Sequence, residues 1–460
     1  MKRFKLLIAL ALVLLHNGVQ AQQKHELTIR EAVEIAFKNV IEVRNAQIDY
    51  RIQEAKNKEI FGQALPQVTG NAGTQYYMKL PAILFPNAQE KGIYDVLVKE
   101  GLVPSNTPVP GIQLVPVSFQ QPWNVNLGAT LQQLLFQPDV FVGLQARQAA
   151  LDLSEAVIEQ TKEVIKDSAY KRYYAILIAE KQVHFLNESV KRLEKLYHDD
   201  SIMYKNGFAE RLDLDRVQVQ LNNLKTTKSV VENSVQLAYA GLKFALGVSQ
   251  KDTIVLKDVL TTEALKENLL ENNFKYDDRA EIKTLELAKA LRDLDVKRNK
   301  LGYLPTVAFA ANYSINGLGQ KFFTDPSTIW IRSAYIGLNV NLPIFDGFQR
   351  RYRTQQARLN VERAENNITN VKQVIDLQQV MTKESLRNAL LNLDMQERNL
   401  ELAQRVYNTT KLKFEQGLGS SFEVLQADTD YQTAQSNYFN ALYNATVARI
   451  SFQSALGKLP

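Results

Sequence analysis

The sequence predicts a mainly α chain built around long antiparallel coiled-coil helices, with a minor set of amphipathic strands. Three observations predict it. Two stretches of helical pattern are far longer than globular helices. Four short segments alternate apolar and polar residues. The order of these elements occurs twice along the 460 residues.

The amino terminus reads as an export signal. MKRFK is followed by the apolar run Leu6 to Leu15 and by a small-x-Ala end, Val19-Gln20-Ala21. A basic start, an apolar core and that ending mark a secretory signal over 1–21 with cleavage after Ala21. The run is too short to cross the hydrocarbon as a helix. Cleavage removes Lys2, Arg3 and Lys5 and no acid, so the formal charge of +6 falls by half. The remaining balance is too small to argue for nucleic acid as a partner. Beyond Ala21 there is no apolar run long enough for a transmembrane helix.

Composition excludes several chemistries. The chain has no cysteine, which removes disulfides, thiolate metal sites and cysteine nucleophiles. It has four histidines, none at helical-face spacing from another. His198-Asp199-Asp200 is the one run that could seed a metal site, but adjacent residues on a helix point apart. There is no glycine-rich phosphate loop and no nucleophile elbow. No catalytic, cofactor or metal residue is predicted, and the chain reads as a non-enzyme.

Duplication organises the chain. Leu65-Pro66-x-Val68 recurs as Leu304-Pro305-x-Val307, and Ala245-Leu246-Gly247 as Ala455-Leu456-Gly457. Gly207 and Gly417 are separated by the same offset as Gly247 and Gly457, and each turn glycine is followed at the sixth place by an acid, Asp213 and Glu423. The expected first repeat is 22–247, with strands at about 66–78 and 122–136 and a helical hairpin over 139–247. The second is 277–460, with strands at about 304–316 and 334–345 and a hairpin over 350–457. Segment 248–276 lies between them as a side segment.

The strands alternate with period two. Trp123, Val125, Leu127, Ala129 and Leu131 share one face, and Asn124, Asn126, Gly128, Thr130 and Gln132 the other. Val307, Phe309, Ala311, Tyr313 and Ile315 repeat the pattern, as do Ile336, Leu338, Val340 and Leu342. A sheet lying on a soluble core would alternate in the same way. The polar faces here are small, uncharged and rich in Asn, Gln and Gly, which favours the wall of a water-filled barrel. The proline-bearing stretch 79–121 and the shorter 317–333 read as irregular surface connections.

The helices carry heptads. Leu386, Leu393, Leu400, Tyr407 and Phe414 follow one another at seven, with Ala389 and Ala403 in companion positions. Ala169, Ile176, Val183 and Val190 do the same in the first half, accompanied by Ile165, Ala179, Leu186 and Leu193. Such a repeat imposes left-handed supercoiling. Asp139 to Lys205 would extend about 100 Å as a helix. Gly207 and Gly417–Gly419 turn each long helix back, giving two helical hairpins. Four strands cannot close a usable barrel, and open strand edges are not tolerated in lipid. If the strands enter a membrane, several chains must share one barrel.

With these elements in place the chain resembles the outer-membrane efflux protein family, the TolC-like channels. The resemblance rests on the opening LTIREAVEIAFKNV, the strand start LPQVTGNAG, and FEQGLGSSFEVLQADTDYQTAQSNYFNALYNATVARISFQSALG. It implies a homotrimer whose twelve strands, four from each chain, close one transmembrane barrel in the outer membrane of a Gram-negative bacterium, in contact with its lipid. The hairpins would then form a periplasmic α-barrel. It further implies a periplasmic adaptor and an inner-membrane pump of RND or ABC type, with the channel passively exporting small toxic compounds. The same duct serving type I protein secretion or metal-ion efflux is an alternative, and a surface coiled-coil structural protein a more distant one.

The resemblance also places residues. Gly207, Phe208, Gly417, Leu418 and Gly419 fall on adaptor-contact hairpin tips. Asp213 and Glu423 fall on acidic positions at the closed periplasmic aperture, and Phe414 on a gate aromatic. The family often carries arginine where this chain has Gly419, and a second aspartate where it has Gln426. Asp215 is a candidate to replace that acid, and Arg211 and Arg216 are candidate partners. Three copies of Asp213 and Glu423 around a narrow pore would favour cations; both acids also suit the first turn of a helix on electrostatic grounds alone.

Overall fold

The computed structural model describes residues 24–108, 111–262, 265, 274–321 and 326–460. The expected signal and its cleavage residue Ala21 lie outside these residues, as does part of segment 248–276. The chain divides into two compact units, and each draws on both halves of the sequence. One comprises the chain up to Glu54, Gln148–Asp293 and Leu359–Pro460; the other comprises Ala55–Arg147 and Leu294–Arg358.

The second unit holds a four-stranded antiparallel sheet. Its strands are β2 (Gln67–Tyr76), β5 (Trp123–Phe136), β7 (Thr306–Gly319) and β8 (Ile329–Asn341), in the order β2-β5-β7-β8. The register sorts the side chains by chemistry. Val68, Leu131, Ala311 and Ile336 form one cross-strand row, and Thr74, Val125, Gly317 and Trp330 another. On the opposite face Asn71 Nδ2 donates to Asn126 Oδ1 at 2.6 Å, and Asn126 Nδ2 donates to Asn316 Oδ1 at 2.6 Å. Asn312 Nδ2 donates to Thr130 Oγ1 at 2.9 Å. Side-chain amides therefore satisfy one another along the polar face, as neighbouring strands allow. The apolar face remains open, with Val68 70%, Ile336 78% and Val340 64% exposed.

β8 starts and stops earlier than expected. Its alternation includes Trp330, whose ring covers the place where a side chain on Gly317 would stand, and Pro343 ends the pairing because it has no N–H to donate. The stretch 79–121 is more ordered than expected. It contains β3 (Ile83–Asn87) paired antiparallel with β4 (Gln113–Val117), and a helix α3 (Gln89–Lys99). Proline content concealed this hairpin: Pro86 and Pro116 both lie in the strands, where proline is tolerated because each is an edge of a two-stranded pair.

The first unit is helical. α1 (Ile29–Asn39) opens on a capping box in which Glu31 N–H donates to Thr28 Oγ1 and Thr28 N–H donates to Glu31 Oε2. The chain leaves this helix at Val40, whose backbone is extended (ψ 131°), and resumes as α2 (Ile41–Gln63). α4 (Pro138–Lys205) and α7 (Gln349–Glu415) are the long helices. α5 (Arg211–Ala245) and α8 (Ser421–Ala455) return from them, each with 35 residues. α6 (Ala280–Leu301) opens the second half. β1 (Lys24–Leu27) pairs in parallel with β6 (Thr253–Leu256), so part of the side segment is tied to the start of the described chain.

The heptad positions are core. Leu386, Leu393 and Tyr407 are buried, as are Ala169, Ile176, Val190 and Leu193. Leu400 and Phe414 are half-buried against a cluster of Val190, Leu193, Leu221, Val424 and Tyr431. That cluster joins both hairpins within the unit.

Candidate functional site: the hairpin tips and a buried brace

Both tips are built by the same local chemistry. At the first, Gly207 has φ +78°, Gly207 N–H donates to Tyr204 O, and Phe208 N–H donates to Met203 O. At the second, Gly417 has φ +72°, Gly417 N–H donates to Phe414 O, and Leu418 N–H donates to Lys413 O. Each is a Schellman stop, in which glycine supplies the left-handed residue and two otherwise orphaned carbonyls are satisfied. The residue after each glycine stands out into solvent, Phe208 at 79% and Leu418 at 77% exposed. Gly419 follows, half-buried, beside the carboxylate of Glu423.

The return helices then start differently. Ser420 caps α8 by accepting from Glu423 N–H at 3.2 Å, whereas Glu210 offers α5 no side-chain cap. Asp213 pairs with Arg216 at 3.4 Å, and Asp215 with Arg211 at 3.0 Å. The two expected arginine partners are thus engaged, each within one turn of α5. Gln426 is exposed and donates to Asp430 Oδ1 at 3.0 Å.

The structure brings several of these residues together. The Arg216 guanidinium lies 5.1 Å from the ring centroid of Phe422, the neighbour of Glu423. Ser421 Oγ donates to Asp200 near the end of α4. Phe414 packs in the apolar cluster with Val424. Asp215 and Gln426, by contrast, remain in contacts on their own helices.

Sequence reasoning missed a buried polar brace. Arg192 on α4 donates its Nε–H to Asp428 Oδ1 on α8 at 2.9 Å, and its Nη2 to Ser189 Oγ at 2.7 Å. Its guanidinium lies 5.4 Å from the ring centroid of Tyr407 on α7 and 5.0 Å from that of Tyr431 on α8. Those two rings stack at 6.0 Å. Gln432 completes the set by donating to Asp428 Oδ2. Burial pushes the Asp428 carboxyl above the usual carboxylate range, and this outweighs the opposing pull of Arg192. Burial also raises Asp200, with Asp213 and Asp199 adding to it against the hydrogen bond from Ser421. Tyr407 is pushed up to about 12, chiefly by burial, and stays neutral. Asp200 is turned into the protein while His198 is exposed, so the three-residue run does not converge on a point.

A signal for the brace was present. Asp428, Gln432 and Gln435 recur at helical spacing on the inward face of α8, between apolar Val424 and Phe439. Polar residues on a buried face call for partners.

The fold thus combines a sheet polar on one face and apolar on the other with helical hairpins ending in matched glycine turns. Residues 278–458 match the family model described as outer membrane efflux protein. The chain is 25% identical over 328 residues to protein CyaE of Bordetella pertussis, covering 68% of each chain. It is 19% identical over 340 residues to the outer membrane protein TolC of Vibrio cholerae, covering 73% of this chain and 77% of that one. The crystal structure of CusC superposes with a TM-score of 0.70 at 14% identity, covering 93% of this chain and 91% of that one. The second part of the chain thus carries an outer membrane efflux protein match, and the chain is similar to the TolC-like channels. Its relatives are outer-membrane channels of Gram-negative bacteria with a periplasmic helical part.

Proposed function

We propose that three copies of this chain form the exit duct of a tripartite efflux pump. In this reading the duct passively conducts small toxic compounds delivered by an inner-membrane transporter of RND or ABC type and a periplasmic adaptor. One observation carries the reading. β2 and β8 are the two edges of the sheet, both exposed along their length, and they flank a largely apolar face interrupted by Arg332. Lipid does not tolerate such edges, so β2 of one copy pairs with β8 of the next until the barrel closes. The uncharged amide face then lines the bore. That face has no fixed charge of its own, so any charge selection falls to the aperture.

The duplicated halves, 22–247 and 277–460, supply the two hairpins of each protomer. The tips at Gly207-Phe208 and Gly417-Leu418-Gly419 meet the adaptor, offering one exposed apolar side chain each. Asp213 and Glu423 ring the aperture, with Phe414 packed behind them and Asp215 and Gln426 on the adjoining turns. Opening is a shift of the hairpins biased by adaptor contact.

Native mass spectrometry and single-channel recording of the detergent-extracted protein test this reading. The expected result is a trimer with cation-preferring conductance. Asp213→Ala and Glu423→Ala should weaken that preference without dissociating the trimer. A monomer soluble without detergent would overturn the duct, and unchanged selectivity in both variants would overturn the carboxylate ring.

A further inference from the structure

Between β2 and β5 the chain makes a long excursion, residues 77–122. Its base is closed where Tyr77 N–H donates to Pro122 O at 2.8 Å. Above the base are the β3–β4 hairpin and α3. This excursion has almost no core of its own: no residue of α3 is buried. Met78 is 91% exposed, Leu102 71%, Ile83 61%, Ile93 60% and Leu114 60%. A two-stranded hairpin is marginally stable alone in water, and a contiguous apolar surface of this kind marks an interaction site.

Two kinds of cover are open to it, a membrane surface and another copy of the chain. The charges argue against the first. Lys79, Lys91 and Lys99 are matched in number by Glu90, Asp95 and Glu100. The excursion therefore has no net positive field to draw it to an anionic bilayer surface. Its root argues for the second. The excursion grows directly from β2, and the outer edge of β2 has no partner strand among the described residues. Whatever strand completes that edge belongs to another copy, so the excursion begins beside that copy.

We propose that residues 77–122 form an intersubunit clasp, laying the apolar side chains of the β3–β4 hairpin and α3 against the neighbouring copy at the loop end of the barrel. The clasp rests on the shared-barrel reading above. It adds to strand pairing a second contact between copies, made outside the membrane by side chains rather than backbone.

The test places the photoreactive residue p-benzoylphenylalanine at Ile93 or Leu114 of the full chain, with the unsubstituted chain irradiated in parallel as the control. Isolated outer membranes are irradiated and adduct masses measured, while native mass spectrometry reports the oligomer. The expected result is chain-to-chain adducts from Ile93 and Leu114 and none from the unsubstituted chain. A trimer that yields only lipid adducts, only adducts within one chain, or none would overturn the clasp and leave the barrel standing. A monomer would overturn both.

Discussion

Arg192 and Asp428 lie 2.9 Å apart across the two hairpins of one chain, with the aspartate side chain 1% exposed and the arginine 22%. The pair sits one helical stretch behind the tips, wrapped by Tyr407 and Tyr431. A cationic partner offsets part of the desolvation cost of a buried carboxylate. Arg192→Leu leaves Asp428 without its cation and should cost about 3 kcal/mol, the lower end for a buried pair because the arginine is partly solvated. Asp428→Leu added to it should recover most of that loss, since two apolar side chains can fill the site without a stranded charge. Denaturant titration followed by helical circular dichroism checks both. Equal losses in the single and double variants would show that the aspartate needs no partner.

The same burial fixes a pH dependence. Asp428 and Asp200 both hold their protons more tightly in the folded chain than the ordinary carboxylate value of about 3.9. For a carboxyl raised in the folded state, the folded chain binds more protons than the unfolded one between the two values. Stability then falls as pH rises through that window, and the full penalty is present above it. Acidifying from neutrality into the window should therefore raise the thermal midpoint of the helical part. At lower pH the trend should reverse as Glu26, Glu31 and Glu188 protonate, since their partners hold them below the usual range. Asp200→Asn with Asp428→Asn should abolish the rise, and a persisting rise would place its origin elsewhere.

Much of this architecture was legible because it is written in local spacing. Heptads from Leu386 to Phe414 mark the buried seam of α7, and glycines at 207 and 417 mark where the chain turns. The alternation around Ile336 distinguishes the two faces of β8. What was not legible depends on partners distant in sequence. Arg192 reads as one more charge on a long helix until α8 brings Asp428 to it. Pro86 and Pro116 read as loop residues because a two-stranded ladder with both edges free was not anticipated. The break at Val40 carries no glycine or proline, so no residue type marks it in the sequence. The glycines mark where the helices turn, and the pairing of Asp213 with Arg216 is local to α5, but the contact of Arg216 with Phe422 required the second hairpin.

Four glycines at matching positions separate conformational from steric demand. Gly417 and Gly457 both close helices with positive φ, +72° and +68°. A Cβ on Gly417 would meet nothing within 4 Å, whereas one on Gly457 would stand 2.5 Å from the carbonyl oxygen of Asp278. Gly247 repeats the crowded case against the backbone of Asn39 at 2.8 Å, and Gly207 the open one. Gly417→Ala should therefore cost only the left-handed backbone, about 1 kcal/mol. Gly457→Ala should cost clearly more, because backbone rather than a flexible side chain blocks the methyl. Comparison of the two unfolding midpoints decides it, and equal effects would refute the close approach at Asp278.

Ile336 and Asn339 test which face of the sheet meets lipid. Ile336 lies in the row with Ala311, Leu131 and Val68, so the barrel reading puts it in the hydrocarbon. Asn339 is an odd number of residues away on the same strand and faces the bore. A charge at the membrane midplane of a barrel costs about 2–4 kcal/mol, while one facing the lumen is solvated. Ile336→Arg should thus lower the fraction of chain assembled in the outer membrane. Asn339→Arg should assemble normally and shift single-channel selectivity towards anions, because the added cation lines the path of the ions. The opposite pattern, with Asn339→Arg failing to assemble and Ile336→Arg altering selectivity, would turn the sheet inside out. Equal tolerance of both would remove the strands from the membrane altogether.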